Sequence, residues 1–299
     1  MYEDEDAQIP LPRKSNDGWA MRTIKDINRK YIGNEYNTMN DASLQAASDL
    51  LYEHWMQGSV ISGLPVDIRP TTREEGYAIQ ARLDERSRNP VYGWKIAATS
   101  AAGQAHIGVD GPIAGRILAE RVIPCAGVIP AGPNHMAVAE IEFAFRMGRD
   151  LDPRPEGFSV EEVLAAVETL HVAIEIPDSR YEDFAHVGAP QLIADNACAH
   201  YFIAAEASTA DWRSIDLVAH RVIGRIEGKV EQEGSGANVL GDPRIALTWL
   251  ANELSRLGIT LQKGQTVTTG TCIPPLAISS GDLVTADFGS LGTATVRIG

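Results

Sequence analysis

Hydrophobic positions in this chain follow two rhythms. Behind Asp41, Leu44, Ala47, Leu51 and Trp55 recur every three or four residues, which predicts an amphipathic helix with Asp41 as its cap. Thr72 and Glu75 have capping-box spacing and predict a second helix through Ile79 and Leu83, stopped by Asn89-Pro90. Ser159 and Glu162 repeat that signature and predict a third through Val163, Val167 and Leu170. The fourth has Asp242 as cap and Pro243 in the first helical position. It continues through Ile245, Trp249, Leu250 and Leu254 and stops at Gly258.

Elsewhere the period is two. In AEIEFAFRM (139–147), Ala139, Ile141, Phe143, Phe145 and Met147 share one face, while Glu140, Glu142, Ala144 and Arg146 share the other. Segments 172–176, 200–206, 220–234, 265–271, 282–288 and 293–298 also read as strands. A helical part over 39–92 followed by a strand-rich body over 93–299 predicts one α+β domain, not a doubly wound parallel sheet. Residues 1–38 stand apart. They open on Glu3, Asp4, Glu5 and Asp6 and lack an apolar h-region, so a disordered leader is expected there, not an export signal.

Composition narrows the function. The 299 residues carry 26 Lys+Arg against 40 Asp+Glu, a net charge of −14, which argues against nucleic acid or anionic lipid as a partner. Three scattered cysteines (Cys125, Cys198, Cys272) form no disulfide framework and suit a reducing cytoplasm. No apolar run approaches the roughly 18 residues that span a bilayer.

The candidate chemistry lies in the acids. On a strand, Glu140 and Glu142 project from one face, either as an acidic edge in solvent or as two carboxylates converging on a cation. Glu175 sits inside the apolar run Val172–Ile176, so it is either on a polar face or paired. It would complete a set of three oxygens for Mg²⁺ or Mn²⁺; without an HExxH or Cys/His cluster, zinc is disfavoured. Lys95, in GWKIAATS, is either a snorkelling surface lysine or a partly desolvated one near anions.

Six motifs occur in order: GWKIAATS, AEIEFAFRMGRDL, VAIEIPDSRY, DNACAHYFIA, GANVLGDPRIALTWLANELSRLG and QKGQTVTTGTCIPPLAISSGDLVTADFGSLG. Together, from about residue 41 onward, they resemble the 2-keto-4-pentenoate hydratase / 2-oxo-3-hexenedioate decarboxylase branch of the fumarylacetoacetate hydrolase superfamily. The resemblance implies a mixed β-sheet roll with a small helical N-terminal part, and a homo-oligomer. It also implies Mg²⁺ or Mn²⁺ on Glu140, Glu142 and Glu175, with Lys95 as the active-site lysine.

The implied reaction adds water to a 2-hydroxy-2,4-dienoate during breakdown of aromatic compounds. Decarboxylation of a 2-oxo-3-enedioate or hydrolysis of an acylpyruvate are its competitors within the family. A catalytically silent metal-binding scaffold is the competitor of another class. The chain departs from the pattern in three places. GRILAERV (115–122) offers Ala119 and Glu120 where such hydratases carry an aspartate that handles water, which makes Glu120 a candidate catalytic residue. DNACAH lacks the family's serine, and TGTCIPP replaces a TGS-type turn.

Overall fold

A computed structural model describes residues 39–299; the leader expected over 1–38 lies outside the described residues. The first helix, α1 (Asp41–Gln57), is capped one residue earlier than the pattern suggests: Asn40 Oδ1 accepts from the Ser43 N–H at 2.9 Å. Asp41 is instead the first helical residue, where its charge favours the positive end of the helix dipole. The Thr72–Glu75 capping box is formed and opens α2 (Arg73–Ala81), which stops two residues short of Leu83.

The strands that follow are β1 (Gly93–Ala97), β2 (Ile113–Ile117), β3 (Val128–Ile129), β4 (Val138–Met147), β5 (Val167–Ile176) and β6 (Tyr201–Ala204). Next come β7 (Arg221–Ile226), β8 (Val230–Ser235), β9 (Thr266–Thr271), β10 (Leu276–Ala277), β11 (Leu283–Asp287) and β12 (Thr293–Ile298). The later helices are α3 (Ala101–His106), α4 (Val160–Leu164), α5 (Ala189–Ala194) and α6 (Pro243–Arg256).

Two expectations fail for local reasons. The Ser159–Glu162 capping box starts a helix as predicted, but α4 ends at Leu164, and Val167 and Leu170 belong to β5. A capping box marks a start and carries no information about length. The single strand expected over 220–234 is a hairpin, β7–β8, which turns through Gly228 at φ +71°.

One sheet runs β2-β1-β9-β4-β5-β6, with β10 also paired to β4; the other runs β3-β12-β11-β7-β8. Both are mixed: β1 pairs parallel with β9, and β12 with β3, among otherwise antiparallel neighbours. The sheets pack through one apolar core, in which the Phe143 and Phe288 rings meet edge-on at 4.8 Å. Helix α6 buries Leu247, Leu250 and Leu254 in the same core. A smaller cluster of Leu51, Leu64, Ile79, Tyr181 and Ala194 joins α1 and α2 to α5. This is the α+β architecture the pattern predicts. It differs in one respect that positions the site: the polar face of β4 is covered as well, so Glu142 is fully buried.

Candidate active site

Strand register assembles the site. Glu140 and Glu142 are two apart on β4, and Glu175 of β5 pairs directly opposite Glu140, so all three side chains leave the same face. Their carboxylate oxygens come within 4.8 Å of one another. On the other side of β4, Lys95 of β1 is in register with Thr268 of β9 and with Gly115 of β2. The lysine is only 2% exposed, and its Nζ lies 3.1 Å from Glu175 Oε1.

Second contacts hold these groups in place. The β4–β9 register shifts between Glu142 and Ala144, a bulge that turns two donors out of the ladder. The Gly270 N–H donates to Glu142 Oε2 at 2.7 Å, and Thr268 Oγ1 donates to the same oxygen. Gly270 must be glycine: its φ is +100°, and a Cβ would stand 2.0 Å from Thr99 Oγ1.

Lys95 Nζ donates to the Ala197 carbonyl at 2.9 Å. That carbonyl sits in an unusual turn, since Asn196, Ala197 and Cys198 all have left-handed φ (54°, 49°, 61°). The Asn196 side chain holds it there by bonding both the N–H and the C=O of Arg116. The turn lies so close to β2 that a Cβ on Gly115 would meet the Asn196 oxygen at 2.3 Å.

Electrostatics make the cluster unusual. Burial pushes the Glu140 and Glu142 carboxyls up, Glu142 well above the ordinary range because Glu175 and Glu140 add their repulsion. Burial likewise pushes Glu175 up, to about 7, although the Lys95 ammonium opposes it. For Lys95, burial works to lower the pKa, but Glu175 and Glu140 outweigh it and the proton is held more tightly.

Glu142 Oε1 and Glu175 Oε2 are buried without a hydrogen-bond donor, and Glu175 Oε1 has only the Lys95 ammonium beside it. Buried carboxylate oxygens without donors are costly, and three carboxylates that each bring one oxygen within 4.8 Å of the others suit a hard divalent cation with oxygen ligands. The residues present therefore fit the divalent cation expected from the sequence.

Above this floor opens a cavity of about 1180 Å³. Lys95 and Glu140 are its charged lining residues among those described, and His106 stands at the exposed mouth.

The structure thus brings Lys95, Glu140, Glu142 and Glu175 together. It does not bring Glu120 to them. Glu120 is exposed outside the cavity and accepts from Ser87 Oγ (2.9 Å) and the Arg88 N–H (2.7 Å), so it ties down a surface loop. Its short helical turn, Ala119–Arg121, directs it away from the floor. Cys198 lines the cavity, with its thiol pushed up to about 12 by burial and by Asp195. Arg180, five residues after Glu175, pairs with Asp195. Sequence reasoning missed Thr268, Gly270, Asn196 and the Ala197 carbonyl. Only Gly270 carried a signal, as a glycine interrupting a strand of threonines.

A family model described as "Fumarylacetoacetate (FAA) hydrolase C-terminal" matches residues 83–299. The chain is 32% identical to a protein named 2-keto-4-pentenoate hydratase 1 from Dechloromonas aromatica, over 86% of its own length and 98% of the relative's. It is 30% identical to a 2-keto-4-pentenoate hydratase from Paraburkholderia xenovorans, over 85% and 94%. Among solved structures, the 4-oxalocrotonate decarboxylase of Pseudomonas putida G7, complexed with magnesium and adipate, superimposes with a TM-score of 0.77 at 26% identity. That match covers 88% of this chain and all of the other. With a family model over most of the chain and near full-length relatives at 30% identity or more in agreement, the chain belongs to the fumarylacetoacetate hydrolase family.

Proposed function

We propose that the protein is a divalent-metal-dependent hydratase that adds water to a 2-hydroxy-2,4-dienoate and releases a 4-hydroxy-2-oxo acid. One observation carries this reading: three glutamate carboxylates, two of them with buried oxygens that lack a donor, converge beside Lys95 at the floor of an open, largely apolar cavity. The names of the hydratase relatives support it. Glu140, Glu142 and Glu175 would hold Mg²⁺ or Mn²⁺. When bound, the cation stabilises negative charge on the substrate's C2 oxygen as enol and ketone interconvert.

The chain's own residues do the rest. Thr268 and the Gly270 N–H fix Glu142, and the Ala197 carbonyl aims the Lys95 ammonium. Lys95 Nζ pairs with the substrate carboxylate or delivers the proton that ends on C5; both tasks need a protonated amine beside the acids. The apolar walls hold the diene away from bulk water, and the hydroxyl added at C4 comes from water entering through the mouth. The same reading assigns the enzyme to breakdown of aromatic compounds in the cytoplasm as a homo-oligomer. Three free cysteines support the reducing compartment.

A second reading is decarboxylation, favoured by the likeness to the decarboxylase structure. The same floor would stabilise the dienolate left when CO₂ departs. Assaying 2-hydroxypenta-2,4-dienoate and 2-oxohex-3-enedioate with Mg²⁺, Mn²⁺ and EDTA separates the two. Metal-dependent loss of the dienoate absorbance with formation of 4-hydroxy-2-oxopentanoate is expected. CO₂ release from the diacid alone would transfer the assignment to decarboxylase, and inertness toward both would sink it.

A further inference from the structure

The cavity is much larger than the smallest substrate of the proposed reaction requires. A five-carbon dienoate has eight non-hydrogen atoms, whereas cavities of roughly 300–1,000 Å³ hold drug-sized ligands. This one measures about 1180 Å³. Depth is legible from exposure: Lys95 is buried at the floor, and Ala101, His106, Pro274 and Pro275 are exposed at the mouth. Between them the wall is largely apolar, formed by Ile107, Ile113, Met136, Phe184, Leu192 and Ile273, with the uncharged polar side chains of Thr99, Asn238 and Thr271 among them.

Charge is distributed as unevenly. Among the described lining residues the one lysine is Lys95, there is no arginine, and the only carboxylate is Glu140. The two buried arginines nearest the floor in sequence and register are committed elsewhere. Arg116 pairs with Asp84 and lies over the Trp94 ring, and Arg180 pairs with Asp195. The His106 imidazole stands edge-on to Phe184, with ring centroids 5.9 Å apart.

We infer that this site selects monoanionic 2-hydroxy-2,4-dienoates carrying an uncharged, apolar chain beyond C5, and discriminates against dicarboxylates. The inference rests on the hydratase reading and names its substrate class. The substrate's carboxylate end is met at the floor by Lys95. A second carboxylate at the far end of the chain would lose water against Ile107, Met136 and Phe184 without a fixed counter-charge, which is costly. An alkyl chain in the same place gains about fourfold for each methylene buried.

The test measures kcat/KM of the Mg²⁺-loaded full-length protein on three acids. They are 2-hydroxypenta-2,4-dienoate, 2-hydroxynona-2,4-dienoate and the diacid 2-hydroxyhexa-2,4-dienedioate. The nonadienoate should exceed the pentadienoate by about tenfold or more, and the diacid should fall at least as far below it. A diacid equal to or better than the nonadienoate overturns the inference. So does a nonadienoate no better than the pentadienoate, with the hydratase reading left standing. If none of the three is consumed, the hydratase reading fails and the inference falls with it.

Phe184→Arg places a cation on the wall and should raise the diacid-to-nonadienoate ratio about tenfold; an unchanged ratio in a folded variant counts against the inference. A second measurement needs no variant. As competitive inhibitors of the wild-type enzyme, 2-oxononanoate should bind more tightly than 2-oxoadipate, and the reverse order overturns the proposal.

Discussion

Two charged clusters lie buried within a few residues of each other, and they are built on opposite terms. Around Arg180 every charge is answered. Asp195 accepts from Ser179 Oγ (2.7 Å), the Arg180 N–H (3.0 Å) and the guanidinium, which also donates to the carbonyls of Asp178, Asp195 and Ala199. Five residues earlier, Glu175 begins a cluster of three carboxylates and one ammonium in which Glu142 Oε1 and Glu175 Oε2 have no donor. Apart from the half-buried Glu140, the charged groups of both are out of water, so both would be expected to be satisfied. The closed cluster is architecture. The open one is a site, and its excess charge marks what it binds. The strained turn 196–198 joins them, with Asp195 at one end and the carbonyl that holds Lys95 inside it.

The sharpest way to break the contrast is to remove an acid from the open cluster. Glu142→Ala or Glu175→Ala should lower turnover by at least about 10³-fold, the scale of losing the main stabiliser of developing charge. Melting temperature should also stop responding to Mg²⁺ in these variants, because a cation that binds only the folded state stabilises it. Steady-state assays and thermal melts with and without Mg²⁺ check both outcomes. A variant that keeps wild-type turnover would remove the glutamates from the mechanism. Lys95→Met should cost roughly 10²–10⁴ in turnover with Mg²⁺ stabilisation retained.

The closed cluster should respond differently. Asp195→Ala leaves a guanidinium buried and unpaired, and should destabilise the protein by about 3–5 kcal/mol in chemical denaturation. In metal-free protein, Glu175→Gln should act in the opposite direction and raise stability, because it removes a charge that burial disfavours by more than the Lys95 ammonium favours it. Equal losses from the two substitutions would erase the distinction.

Acidity gives a finer version of the same comparison. With the Glu175 pKa raised to about 7 in the fold, the folded state binds more protons than the unfolded state above the ordinary carboxylate range. Its stabilising contribution is complete below about pH 4.5 and is lost as the pH rises through 7. His200 has the opposite sign. Its Nδ1 accepts from Trp55 Nε1–H at 2.7 Å, and burial, with Arg121 and Arg180, pushes its pKa down to about 3. It therefore costs stability as the pH falls below about 6.5.

Melts of metal-free wild type against Glu175→Gln, from pH 5 to 8, isolate the first effect. The variant's advantage should grow with pH, and Mg²⁺ should abolish it. An advantage independent of pH would contradict the raised carboxyl.

The reach of the sequence follows the range of each signal. The ExE spacing places Glu140 and Glu142 on one face, and the apolar run around Glu175 marks a carboxylate that needs a partner. Both are properties of a few adjacent residues. The pairing of Glu140 opposite Glu175 is a matter of register between strands, which short patterns do not encode. The bulge that presents the Gly270 N–H is equally non-local, and the left-handed turn at Asn196–Cys198 has no glycine to announce it. Helix starts were legible from Thr72, Ser159 and Pro243 because caps are local. The end of α4 was not, because β5 takes Val167 and Leu170 into the sheet core.

Glu120 is where the local reading and the structure part most clearly, and it supplies the smallest expected effect. Its carboxyl is held below the ordinary range, burial being outweighed by the Arg88 N–H and the Ser87 hydroxyl, so it is an anion bonded to a loop and not a base facing a substrate. Glu120→Gln keeps an acceptor for Arg88 and changes only the charge. Turnover should stay within about twofold of wild type, and stability within about 1 kcal/mol, the scale of an exposed hydrogen bond. The discriminating measurement is kcat against pH for the wild type and this variant. Superimposable profiles leave the handling of water to groups at the cavity, whereas a tenfold loss, or a missing acidic limb, would return Glu120 to the mechanism and place a catalytic group outside the open cluster.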